Sequence, residues 1–239
     1  MALNALQIVQ QVCAWQSLPI PSALFAATDP QTIELRGLLN EELLELKKWP
    51  DTVWRKMLRQ YTFTAVAAEV QPTGLPTDLD YIVPTSMWDR TMARPCIGPI
   101  SPQQWQTIKA QPIVASYAWY WRLRGNDFLT TPDPPAGNTV AYEYNSTLAV
   151  YGEGQATPNK EYFDTDTDTA VFDGMLMARG VRWRFLSQKG LAYDQAYSEW
   201  LSLVQREVSR SKGLPTLNAA GPGLPGLDPW VPSQNWPGP

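Results

Sequence analysis

Histidine is missing from this chain of 239 residues. Its absence removes the commonest general base and metal ligand, and with it Ser–His, Cys–His and histidine–zinc schemes. Cysteine is scarce: Cys13 and Cys96 stand far apart and unaccompanied. Two isolated cysteines fit buried thiols in a reduced chain better than a disulfide framework or a zinc site. No run approaches the ~20 apolar residues that span a bilayer. The opening MALNALQIVQQ has no basic n-region of a signal peptide, so a protein made and kept in the cytoplasm is expected. Nineteen basic residues face 23 acidic ones, net −4, with no concentrated basic block, whereas a dedicated nucleic-acid binder clusters its basic charge on one face. A Gly-rich phosphate loop and a GxSxG elbow are absent as well.

What is there is apolar and aromatic. Hydrophobic residues make up 44% of the chain and tryptophans number eleven, which excludes global disorder and allows one large domain or two small ones. The most unusual stretch is residues 213–239, with seven prolines, five glycines and Asp228 as its single charge. Disordered tails usually stay soluble through charge. Proline resists helix and central strands, which leaves an extended strap reaching up to roughly 80 Å at about 3.1 Å per residue. Its Leu224, Leu227, Trp230 and Trp236 are the candidate partner-binding residues, tryptophan being enriched among the anchors that dominate binding energy.

Periodicity divides the rest. Leu3, Leu6, Val9, Val12, Cys13 and Trp15 recur at helical spacing until Pro19 and Pro21 stop the run. Asp29-Pro30 supplies an N-cap and a proline at the first helical position of a second helix, which ends at Pro50. From about residue 58 the period changes. Residues 61–66 have strand propensity, Tyr117, Trp119, Trp121 and Leu123 alternate, and so do Val140, Tyr142 and Tyr144. Ser101-Pro102-Gln103-Gln104 is a capping box for a short helix over 102–110. Phe172, Leu176, Trp183 and Leu186 mark a helix closed by Gly190, and Tyr193 to Val208 another. The expected fold is α+β: a helical bundle of N- and C-terminal helices with an inserted antiparallel β-rich lobe and an extended C-terminal tail. The expected parts are residues 1–57 for the N-terminal helices, 58–152 for the lobe, 153–212 for an acidic loop and the C-terminal helices, and 213–239 for the docking tail.

Few residues invite chemistry. Asp164, Asp166 and Asp168 alternate with threonine, and alternating carboxylates converge on hard cations. An EF-hand loop counted from Asp164 needs glycine and glutamate where Thr169 and Met175 stand. The expectation is that Asp168 or Thr169 caps a helix beginning near Ala170, with Asp164 and Asp166 at its positive end. No metal or other cofactor is expected, and these three aspartates are the only candidate ligands. Glu143 and Glu153 flank an aromatic strand, but sequence cannot set the ~5–10 Å that a glycosidase pair needs; the strand reads as a packed face. Arg179, Arg182 and Arg184 read as a solvated or inter-subunit helix face, with a phosphate site as the other possibility. No catalytic residue is assigned, and an enzyme is not expected.

Several strings occur in a definite order: 75–83 (LPTDLDYIV), 87–91 (MWDRT), 97–105 (IGPISPQQW), 138–144 (NTVAYEY), 166–169 (DTDT), 182–185 (RWRF) and 189–193 (KGLAY). In this order they resemble the head-to-tail adaptor (head-completion, or neck connector) proteins of tailed bacteriophages, particularly short-tailed ones, over about residues 3–208. The resemblance implies a structural virion protein of the neck, assembled in the host cytoplasm as a ring, typically a dodecamer, beneath the portal. Its implied partners are its own copies, the portal protein and tail, nozzle or tail-tube proteins. Genomic DNA would pass through the channel without sequence-specific binding, and no membrane is involved. The tail after Gly213 is not part of the likeness; it is expected to engage the portal or a neighbouring subunit. The Trp88-Asp89-Arg90 string reads as a turn fixed by an Asp–Arg pair. The alternative function is a carbohydrate-binding virion module using the aromatic strand from Tyr117 to Trp121.

Overall fold

Asn4 opens the first helix by reciprocal capping: its Oδ1 accepts the Gln7 N–H at 2.8 Å, and Gln7 Oε1 accepts the Asn4 N–H at 3.1 Å. The structure, a computed structural model, describes residues 3–50, 52–110 and 119–212. Helix α1 (Ala5–Trp15) ends where Ser17 takes a positive φ of 54°. Helix α2 (Pro30–Lys47) starts as the sequence indicates, with Asp29 accepting the Thr32 N–H at 2.8 Å and Pro30 in its first turn.

Strands β1 (Leu58–Thr64), β2 (Leu79–Ile82), β3 (Trp88–Asp89) and β4 (Arg94–Ile97) precede helix α3 (Pro102–Ala110). The Ser101 box forms there, with Ser101 Oγ accepting the Gln104 N–H at 3.2 Å and Gln104 Oε1 accepting the Ser101 N–H at 2.9 Å. Strands β5 (Trp119–Arg124), β6 (Asp127–Thr131) and β7 (Thr139–Ser146) follow. These seven strands form one sheet in the order β1-β7-β3-β4-β5-β6, with β2 also paired to β7. Alternation sets its faces: Phe63, Val140, Tyr142 and Tyr144 turn inward with Trp119, Trp121 and Phe128, while Gln60, Thr62, Thr64 and Glu143 are exposed. Phe128 stacks between Trp121 and Tyr142, at 5.6 and 6.4 Å between centroids.

After a small antiparallel pair, β8 (Val150–Tyr151) and β9 (Thr169–Ala170), come helices α4 (Gly174–Gln188) and α5 (Asp194–Lys212). Helix α4 is the central one, lying against α1, α2 and α5. Gly190, at φ 67°, ends it in the left-handed turn that glycine adopts without a Cβ clash.

This arrangement corrects the expected fold class. The sheet is mixed and curled like a half-barrel, not an antiparallel lobe. Strands β4 and β5 run parallel, with Cys96 opposite Trp119 and Ile97 opposite Tyr120. Parallel neighbours need a crossover rather than a hairpin, and the connection containing α3 supplies it. Nor do the helices make a bundle that simply flanks this sheet. Trp54, Met57, Ala149, Val150, Phe163 and Val171, all outside the helices, complete the core that the helices enter. The segments just before and just after the seven-stranded sheet thus complete the helical core, while the sheet has a cluster of its own.

Candidate functional site

The acidic loop is a set of internal braces. Asp166 reaches back across the fold, its carboxylate accepting the Leu24 N–H at 3.1 Å and the Phe25 N–H at 2.9 Å. Asp168 is fully buried. It accepts the Thr165 hydroxyl at 2.6 Å, the Asp164 and Thr165 N–H groups at 3.0 Å, and Lys160 Nζ at 2.9 Å. Burial alone would push its carboxyl up, but these donors outweigh burial and hold it below the usual range. Asp164 is exposed and pairs with Lys160. Among the described residues no cluster of three or more acidic or thiol side chains has a metal-binding arrangement. The expected helix cap near residue 170 is corrected: Thr169–Ala170 is β9, and the cap is Asp173, whose Oδ1 accepts the Met175 and Leu176 N–H groups at 3.0 and 3.2 Å.

Of the three arginines on α4, Arg184 corrects the expectation of a solvated face. It is 6% exposed and donates from Nε to Glu42 at 2.9 Å and from Nη1 to Glu41 at 2.9 Å; its Nη2 pairs with Glu45. Glu42 itself is fully buried and also accepts the Trp200 indole N–H at 2.6 Å. Burial pushes the Glu42 carboxyl up to about 7, even though Arg184 and Trp200 favour its charged form. One carboxylate thus ties α2, α4 and α5 together. Arg179 pairs with Glu199 across α4 and α5, and Arg182 lies over the Trp15 ring at 5.8 Å.

The sheet has a comparable hub. Asp78, ahead of β2, accepts Arg59 Nη1 at 2.9 Å, the Tyr144 hydroxyl at 2.9 Å and the Ser146 hydroxyl at 2.6 Å. Burial opposes its ionisation, yet these donors keep the carboxyl below its ordinary value. The Trp88-Asp89-Arg90 turn is held differently from expectation. Asp89 is buried and bonds the Thr91 and Met92 N–H groups at 3.0 Å and Asn138 Nδ2 at 2.6 Å, rather than Arg90.

Two of the grooves among the described residues combine apolar and polar lining. On the outer face of the sheet, a groove of about 600 Å³ is lined by Gln60, Ser86, Trp88, Arg90 and Glu143 among others. Trp88 is 39% exposed there, and Glu143 sits opposite Gln60 in the β1–β7 ladder. This is an aromatic contact point with a polar rim. Glu153 lies elsewhere, in the turn after β8, accepting the Thr167 hydroxyl at 3.3 Å, whereas Glu143 is part of β7. Trp119 and Trp121 of the aromatic strand are buried in the sheet core, which withdraws their faces from any saccharide; Tyr117 lies outside the described residues. The second surface is a groove of about 440 Å³ at the C-terminal end of α5. The tail anchors Leu224, Leu227, Trp230 and Trp236 lie outside the described residues.

Compared with known proteins, the chain matches no family model and no curated sequence. None of the described helices is long and apolar enough to cross a membrane. The Glu42–Arg184–Trp200 junction was invisible in the sequence, because Glu42 stands 142 and 158 positions from its two donors. The one local signal was three glutamates, 41, 42 and 45, on a helix otherwise rich in leucine.

Proposed function

We propose that the chain is a non-enzymatic head-to-tail adaptor of a tailed phage, a ring component under the portal that extends the DNA channel and seats the tail proteins. The observation that carries this reading is the ordered set of strings between residues 75 and 193. The places of those strings in the fold support it. String 75–83 contains the Asp78 hub, 87–91 the Asp89 turn, 166–169 the Asp166 and Asp168 braces, and 182–185 the buried Arg184.

Two further features agree. The sheet and the helices carry separate cores, which gives one subunit two rigid faces for two neighbours along a neck. The net charge of −4 suits a conduit wall that does not retain phosphate. Co-sedimentation with portal rings encoded by the same genome tests the reading. Saturable binding is expected, and failure to bind a competent portal would reject it. Titration with oligosaccharides is expected to leave tryptophan fluorescence without a saturable change.

A further inference from the structure

The groove at the end of α5 has an apolar floor and a fixed wall. Trp54, Val171, Phe172 and Leu176 form the floor, with Trp54 and Phe172 edge to face at 5.1 Å between centroids. The wall is the last turn of α5. Ser211 donates from its hydroxyl to the Val53 carbonyl at 2.8 Å and accepts the Arg55 N–H at 3.2 Å, while Arg55 Nε donates to the Ser211 carbonyl at 2.9 Å. On the rim, Lys56 Nζ is turned down onto the Val171 carbonyl at 2.8 Å. The described chain therefore ends at a pinned point beside an apolar depression, and 27 residues follow it.

The first of those residues have the matching chemistry. Gly213 directly follows α5, the position where glycine lets a chain turn back over a helix end. Leu214, Pro215 and Leu217 come next with no charge among them. At no more than about 3.5 Å per residue, Leu214 lies within about 10 Å of Ser211 and Leu217 within about 21 Å. A charged rim over an apolar floor selects an uncharged aliphatic segment that leaves the rim polar groups at its edges.

We propose that Leu214 and Leu217 of the chain's own tail seat in this groove, so that the tail is rooted on its own subunit. This inference is independent of the adaptor reading, since it concerns a single chain. Rooting sets the reach: residues 218–239 extend up to roughly 68 Å from the groove at about 3.1 Å per residue. It also separates the tail leucines into two classes, proximal ones that brace the subunit and distal anchors left for a partner.

Thermal melts of the full-length chain without portal test this. Leu214→Asp/Leu217→Asp is expected to melt about 2–4 °C below the unaltered chain and to match a chain truncated after Lys212. Leu224→Asp/Leu227→Asp is expected to melt with the unaltered chain. The melting temperature of the unaltered chain should not change over a hundredfold range of concentration. An unchanged melt of the proximal variant, an equal loss in the distal variant, or a concentration-dependent melt (a neighbouring copy's tail in the groove) would each overturn the proposal. Portal binding plays no part in these measurements, so their failure leaves the adaptor reading to its own test.

Discussion

Gly180 of α4 exists to make room for Glu42 of α2: a Cβ at position 180 would fall on the Glu42 carboxyl group. Glycine inside a helix costs about 1 kcal/mol relative to alanine, and here that cost admits the carboxylate that Arg184 and Trp200 share. Gly180→Ala must displace Glu42 and separate it from its donors. Breaking a buried pair in this way costs about 3–5 kcal/mol. A fall in melting temperature of about 6–15 °C is expected; a melt like that of the unaltered chain would show that α2 and α4 are not held by this contact.

The same carboxyl makes stability depend on pH. In the fold, burial pushes the Glu42 carboxyl up to about 7, above its ordinary value of 4.5. A carboxyl raised on folding resists ionisation, so its contribution is complete below about pH 4.5 and is lost as pH rises through 7. Arg184 keeps Glu41 and Glu45 when Glu42 is neutral, which makes the neutral form tolerable. Glu42→Gln should match the unaltered chain near pH 5 and gain on it by up to about 3 kcal/mol by pH 8. Denaturant unfolding at a series of pH values reads this directly, and parallel curves would contradict it.

Much of the local structure was legible because its causes are local. Asp29-Pro30 and Ser101-Pro102 announce two helix starts through cap chemistry alone, and alternation announces β1, β5 and β7. What failed was tertiary. By sequence Asp168 and Thr169 both suit the cap, with Asp164 and Asp166 beside it. The folded loop decides otherwise: distant Leu24 and Phe25 take Asp166, nearby Thr165 and Lys160 take Asp168, and Asp173 is left to cap. The parallel β4–β5 pair depends on a crossover that no periodicity reports. Arg184 looked like a surface residue because its three carboxylates lie on another helix.

The three aspartates of the acidic loop should separate cleanly by cost. Asp168→Ala leaves two backbone N–H groups and the Thr165 hydroxyl without this acceptor and a partly buried Lys160 without its inner partner, for a loss of about 3 kcal/mol. Asp166→Ala strands two backbone N–H groups, for about 1–3 kcal/mol. Asp164→Ala removes an exposed pair worth no more than about 1 kcal/mol. A cation site would instead give three similar losses and a melt raised by calcium; equal effects would overturn this ordering.

Asp78 should control the sheet as Glu42 controls the helices, with the opposite pH sign. Its carboxyl is held below the ordinary value of 3.8, so its contribution is present above that value and lost as pH falls through the lower folded one. Asp78→Ala deprives Arg59, Tyr144 and Ser146 of their shared acceptor. A loss of about 2–3 kcal/mol is expected at neutral pH, narrowing towards pH 3. Hydrogen exchange should show it first at β1, β2 and β7; a loss spread evenly over the helices would contradict the assignment.

For the proposed role as a ring component docked on a portal, native mass spectrometry of the purified chain mixed with portal rings from the same genome is the decisive measurement. A saturated complex with about one chain per portal subunit is expected, with weaker saturation for a chain lacking residues 213–239. A portal ring whose mass does not change in the presence of excess chain would contradict it.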